Sequence, residues 1–178
     1  MKTRILLLTL AASAAAVLSC ASPDITAPAD RENANLFGLP LGGGEPKLIE
    51  CPSSESATAS GLVTALGGTI SVAGATILIP AGALLSDALV TVTVPASKYV
   101  EVDISVAGSE HFLFELPVIV TISYARCSRS NINLSLLSAW YIDSETKALL
   151  EKMPSIDNKL LRTVTFTTDH LSGYAVAN

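Results

Sequence analysis

Three features of the sequence predict an all-β, antiparallel β-sandwich that follows a signal peptide and a flexible tether. Apolar residues alternate with polar ones at a period of two from about Gly61 onward. Turn-forming residues break that region into about eight to ten short segments, too short and too often interrupted for helices. Roughly 120 residues remain for the folded part, enough to bury about two-thirds of their unfolded surface in one core.

The strands can be read off in order. Val90, Val92 and Val94 alternate with Thr91 and Thr93, and Val100, Val102, Ile104 and Val106 alternate with Glu101, Asp103 and Ser105. The second pattern puts its carboxylates on one exposed face. Val118, Val120, Ile122 and Tyr124 alternate with Thr121 and Ser123, and Val164 and Phe166 with Thr163, Thr165 and Thr167. Each such strand has one buried and one wet face. Gly67-Gly68, Gly74, Pro80 to Gly82, Pro95, Pro117 and Asp157-Asn158 mark the turns. Ser144 to Met153 fits a hairpin, with Leu149, Leu150 and Met153 nearly compatible with a helix as well. Two antiparallel sheets packed face to face accommodate this spacing.

Ahead of the folded region, Lys2 and Arg4 precede an apolar run from Ile5 to Leu18, the pattern of a secretory signal peptide. The run is shorter than the roughly 20 residues that span a bilayer. It ends at Val17-Leu18-Ser19-Cys20, which resembles a bacterial lipobox, in which the cysteine is acylated and becomes the first mature residue. Residues 1–19 are therefore expected to be the leader and Cys20 the lipid-bearing residue, with an ordinary signal peptide cut elsewhere as the alternative. Ala21 is not the aspartate that retains enterobacterial lipoproteins in the inner membrane, so the resemblance implies an outer-membrane lipoprotein of the cell envelope. From residue 20 to 60 the sequence is rich in Ser, Pro, Ala, Asp and Gly, including Gly42-Gly43-Gly44, and reads as a tether. Leu48, Ile49 and Cys51 form a short exception held to the domain.

Cleavage before Cys20 removes two of the 11 basic residues, leaving nine against 16 acidic ones and a formal charge of −7. An acidic surface repels phosphate backbones, so nucleic acid is an unfavourable partner. It also lacks the composition of a polybasic membrane patch, which leaves the lipid as the attachment to the bilayer. Of three cysteines, Cys20 is assigned to the lipid and Cys51 and Cys127 remain. In an oxidising compartment these two are expected to form a disulfide, closing a loop of about 75 residues and stabilising the fold by roughly 2 to 5 kcal/mol. Two reduced, buried thiols are the alternative. No CxxC or nearby histidine suggests a metal site.

Gly67-Gly68-Thr69-Ile70-Ser71-Val72, followed by Ala75 to Ile79 and Pro80-Ala81-Gly82-Ala83-Leu84, resembles a ZU5 domain. In that stretch two glycines open a tight hairpin, Pro80 ends the hydrogen bonding of a strand, Gly82 permits a turn, and Ala83 and Leu84 fold under the sheet. The likeness continues through Phe114 to Tyr124 and ends at Asp169-His170-Leu171-Ser172-Gly173-Tyr174-Ala175-Val176. It spans residues 61–178. The resemblance implies an interaction or structural module, as in uncharacterised bacterial envelope lipoproteins. With no catalytic motif present, a module without enzymatic activity or cofactor is expected, contacting a protein partner through sheet edges and loops, for which β-augmentation is a suitable mode.

Two further chemistries have candidate residues. Some ZU5-containing adaptors cleave themselves at His-Phe-Ser, and His170-Leu171-Ser172 resembles that motif. The serine hydroxyl of Ser172 would attack the Leu171 carbonyl, with His111 the only other histidine available as a separate base. The bland reading sets His170 at a strand entrance with Tyr174 and Val176 in the core. Asp169, His170 and Ser172 do not form a hydrolase triad, because near neighbours on one strand cannot generally aim at one point. The pair Trp140-Tyr141 is a candidate sugar-stacking platform, since adjacent strand residues face opposite sides. Trp140 is expected in the core, in register with Leu134, Leu136 and Ile142, and Tyr141 on the outer sheet. There is no GxSxG, HExxH, P-loop or dinucleotide fingerprint, and no calcium-loop spacing.

Overall fold

The computed structural model describes residues 45–109, 112–128 and 137–178. The leader, Cys20, most of the tether, His111, Leu134 and Leu136 lie outside the described residues. Eleven strands form two antiparallel sheets: β1 (Ala57–Val63), β2 (Gly68–Val72), β3 (Ala75–Ile79), β4 (Ala88–Val94), β5 (Glu101–Val106), β6 (Leu113–Ser123), β7 (Ser138–Ile142), β8 (Leu149–Lys152), β9 (Ser155–Asn158), β10 (Thr163–His170) and β11 (Gly173–Ala177). One sheet runs β1-β4-β5-β11-β7-β8 and the other β2-β3-β6-β10-β9. The fold is an all-β sandwich.

The alternating residues named from sequence supply its core. Val90, Val92, Val102, Ile104, Val118, Val120, Val164 and Phe166 are buried, each at a strand position whose neighbours face outward. Full burial of such side chains contributes about 1.5 to 3 kcal/mol each. Ala83 and Leu84 are buried beneath the β3–β4 connection, and Gly82 has φ +83°. Gly67 turns β1 into β2 with φ +78°, and a Cβ there would lie 2.3 Å from the Ile79 carbonyl oxygen. The β2–β3 hairpin itself is turned by Ala73 and Gly74, at φ 45° and 86°. Two successive positive φ values match the right-handed twist of a two-residue hairpin, at a steric cost to Ala73.

Several expectations need correction. The boundary between residues 60 and 61 falls inside β1, and the chain joins the sandwich earlier still: Leu48 bridges Ala177 and Glu50 bridges Tyr99. Ser/Ala-rich composition hid β1, because an edge strand with one open side needs few large apolar residues. Pro117 is not a turn but lies inside β6, opposite the register shift between Thr168 and His170 of β10. A bulge is where a ladder tolerates a residue without an N–H. Ser144 to Met153 is the loop and second strand of the β7–β8 hairpin. The rule of one buried and one wet face fails in the middle of the larger sheet, where all five residues of β11 are buried.

Cys51 and Cys127 are joined in a disulfide. It pins the segment before β1 to the connection after β6. Arg126 reinforces the same junction by donating to the carbonyls of Pro52, Ser97 and Tyr99.

Connectivity gives the sandwich two unlike ends. The connections β1–β2, β3–β4, β5–β6, β7–β8 and β10–β11 fall at one end. At the other lie β2–β3, β4–β5, β6–β7 and β9–β10, the segment from residue 45 to 51, and Asn178, whose N–H bonds the Lys47 carbonyl. β8 passes into β9 at the side through Met153 and Pro154.

Candidate functional site

The end remote from residues 45–51 carries two adjoining features, a cleft and a group of exposed leucines. The cleft, of about 390 Å³, is lined by Asp103, Phe112, Tyr141, Ser144, His170 and Ser172 among others. Strand pairing brings these residues together. Tyr141 is the register partner of Tyr174 and Gly173 of Asp103, which places β5, β11 and β7 side by side. The turn of Leu171 and Ser172 then closes the cleft floor, with the Leu171 N–H on the Phe112 carbonyl at 3.3 Å and the Ile104 N–H on the Ser172 carbonyl at 3.1 Å.

Tyr174 is the buried anchor of this arrangement. Its hydroxyl donates to the His170 carbonyl at 2.8 Å and lies 2.8 Å from the Thr168 hydroxyl. Burial pushes its pKa up to about 12. The His170 ring lies above it and meets Tyr141 edge-on, with centroids 5.4 Å apart at 81°. Nδ1 of His170 is within 3.2 Å of the Asp169 carboxylate and 3.3 Å of the Thr168 hydroxyl. Thus His170 closes β10 rather than opening a strand, and its imidazole is held by Thr168 and Asp169 rather than by Ser172. Tyr174 and Val176 are core residues.

The aromatic pair is oriented opposite to expectation. Tyr141 shares the inward face with Ala139, Tyr174 and Val176, and it is Tyr141 that reaches the cleft. Trp140 lies on the outer face with Ser138 and Ile142, half-buried, its Nε1 enclosed without a hydrogen-bond partner. Sequence favoured the larger ring for the core.

One wall of the cleft is built by the loop 143–148. The Asp143 carboxylate accepts the N–H groups of Glu145 and Thr146 at 3.0 and 2.7 Å, and these bonds lower its pKa. The loop so shaped folds over the outer face of β5. Ser144 donates to Asp103 at 2.5 Å, and Lys147, at φ 62°, pairs with Glu101 at 2.6 Å. Glu101 is thereby only 3% exposed, against the expectation that its carboxylate faces solvent. A strand pattern cannot reveal a loop that returns over the wet face.

Beside the cleft, Leu62 and Leu89 form an exposed cross-strand pair at the end of β1 and β4. Leu66, Leu85, Leu113 and Leu116 extend the exposed apolar surface across the adjoining connections, which meet where the Glu115 N–H bonds the Ala83 carbonyl and the Gly82 N–H bonds the Ala65 carbonyl. Exposed leucines concentrated at one end of a fold suit an interaction surface. Around them stand the carboxylates of Asp87 and Glu115, and among the described residues the one lysine at this end, Lys147, is committed to Glu101.

Among the described residues no group of three or more His, Cys, Asp or Glu side chains could hold a metal ion, and no helix is long and apolar enough to cross a membrane. No protein-family model matches the chain, and no curated protein matches it.

Proposed function

We propose that this protein is a lipid-anchored module of the bacterial cell envelope, held at Cys20 in the outer membrane, that binds a protein partner without catalysing a reaction. The observation that carries this reading is edge strand β1. Its seven residues contain no charge and no proline, and it runs directly into the exposed Leu62 and Leu66. The edge strands β8 and β9 are four residues each and carry Glu151, Lys152 and Asp157, the kind of protection that discourages strand addition. β2, the fourth edge, is also uncharged but is five residues long and opens on Gly68, which leaves β1 the longest unguarded edge. An unguarded edge beside an apolar cluster suits an extended segment that pairs with β1 and sets apolar side chains on Leu62 and Leu89. The acidic surround favours basic residues flanking that segment. The likeness to ZU5 domains points the same way, towards an interaction module.

The cleft supports a second reading. Tyr141 offers a ring, and Asp103 and Ser144 offer hydroxyl-binding oxygens, in a volume that suits one or two sugar rings. If Tyr141→Ala leaves binding to envelope glycans unchanged, that reading fails.

Photo-crosslinking in cells tests the leading proposal. A photoreactive residue at Leu66 should trap one discrete partner, and Leu62→Asp should cut that yield at least about tenfold, since a buried charge opposes apolar docking. An equal yield from Thr58→Asp and Leu62→Asp variants with the wild type would overturn it. Intact mass of the same material reports an acyl adduct on Cys20 and an unbroken carboxyl end. Loss of Ser172 to Asn178 would make the protein self-processing instead.

A further inference from the structure

Leucines are also exposed at the opposite end of the sandwich, in the turn between β9 and β10. Leu160 is 89% and Leu161 65% exposed, and Lys159 and Arg162 flank them. We infer that this turn is a second membrane contact, in which Leu160 and Leu161 seat in the lipid interface beneath the sandwich while the acyl chains hold Cys20. The inference deepens the proposed function and rests on its lipid anchor.

The turn is built to present these side chains rather than to hide them. Arg162 sits at φ 57°, a left-handed conformation costly for a side chain of that size. It is compensated by hydrogen bonds from its guanidinium to the carbonyls of Ala125, at 2.9 Å, and Cys127, and by its own carbonyl, which accepts the Tyr124 N–H at 2.9 Å. The guanidinium also stacks over the Tyr124 ring at 5.6 Å. On the other side, the Asn158 carboxamide oxygen accepts the Leu161 N–H at 3.0 Å. With both ends of the turn fastened, Leu160 and Leu161 have little freedom to fold back onto the core.

The occupant follows from where the chain leads. Cys127, whose carbonyl Arg162 holds, is disulfide-bonded to Cys51. The segment from residue 45 to 51 is the described part nearest in sequence to Cys20, so the tether meets the sandwich at the end that carries the two leucines. Twenty-four residues separate Cys20 from Glu45, and a chain of that length keeps this end within reach of the bilayer to which Cys20 is attached. A lipobox cysteine carries several acyl chains, which together hold stably, so the leucine contact sets the orientation of the sandwich rather than its attachment. Charge agrees with this assignment. Of the seven described lysines and arginines, Lys47, Lys98, Arg126, Lys159 and Arg162 lie at this end, Lys98 paired with Glu50 and the two arginines bound to backbone carbonyls, so that Lys159 is the charge beside the leucines, whereas Asp87 and Glu115 stand by the leucines of the far end. Basic residues beside apolar ones suit the phosphate layer of a bilayer, and the acidic end is kept away from it.

The test uses the native acylated protein, reconstituted in phosphatidylethanolamine and phosphatidylglycerol vesicles whose acyl chains are brominated. Leu160→Trp should be quenched at least twofold more than Leu66→Trp at the far end, each corrected for the constant signal of Trp140. Acylated, floating protein in which the two tryptophans are quenched equally would overturn the inference and leave the anchor intact. Protein that carries no acyl mass and does not float would overturn both. Leu160→Ser with Leu161→Ser adds a readout of orientation, because loss of the contact should raise protease access to the β9–β10 turn at least about fivefold in vesicles and leave it unchanged in detergent.

Discussion

Among single residues, Tyr174 shows how a buried hydroxyl fixes the geometry around it. Its ring is in the core, and its oxygen holds both the Thr168 hydroxyl and the His170 carbonyl just before the Leu171 turn. The phenol is neutral in the fold up to about pH 12, whereas an exposed one ionises near 10. The stability contributed by keeping it protonated is therefore fully present below about pH 10 and is lost as pH rises towards 12, about 2 to 3 kcal/mol in all. Thermal melts at pH 9 to 12 should show that loss in the wild type. Tyr174→Phe, already weaker at pH 7 for want of the two hydrogen bonds, should lose that much less over the same range. Parallel curves for the two proteins would mean that another group governs alkaline unfolding.

The elements were legible in proportion to their alternation. β4, β5, β6 and β10 each show a run of β-branched residues on one face, and each stands where that run puts it. β1 did not announce itself, because Ala57 to Val63 is an edge that buries little; Tyr174 and Val176 were expected in the core, but not that Gly173 to Ala177 is buried on both sides. The site was half legible. Tyr141, His170 and Ser172 stand at one cleft, but Asp103, Ser144 and Phe112 join them only through sheet order, which local pattern does not encode. The loop 143–148 was the least readable element, because two non-local contacts hold it, the Ser144–Asp103 hydrogen bond and the half-enclosed Lys147–Glu101 ion pair. That pair sets a prediction. Lys147→Ala leaves the Glu101 carboxylate enclosed without its cation and should destabilise the fold by about 3 kcal/mol, whereas replacing both residues with Met should recover most of it. Denaturant melts of the two variants distinguish a structural ion pair from a dispensable one. Equal losses would mean that packing of the loop, not charge, holds it over β5.

In the whole molecule, the proposed function gives one end to attachment and the other to recognition, and the disulfide lies at the end that carries residues 45–51. Cys51 and Cys127 are 76 residues apart, so the bond closes β1 to β6 into one loop and links both sheets to the segment from residue 45 to 51. A loop of that length removes chain entropy from the unfolded state worth about 4 kcal/mol. Its loss should therefore lower the denaturant midpoint of Cys51→Ser/Cys127→Ser and raise the denaturant slope, because the unfolded chain expands. The strands themselves should persist, since Arg126 still clamps Pro52, Ser97 and Tyr99 and Ile49 remains in the core. What should change first is the segment from residue 45 to 51, which would open to proteases before the sandwich melts. A loss below about 1 kcal/mol would instead assign the closure of this end to the Arg126 clamp on Pro52, Ser97 and Tyr99.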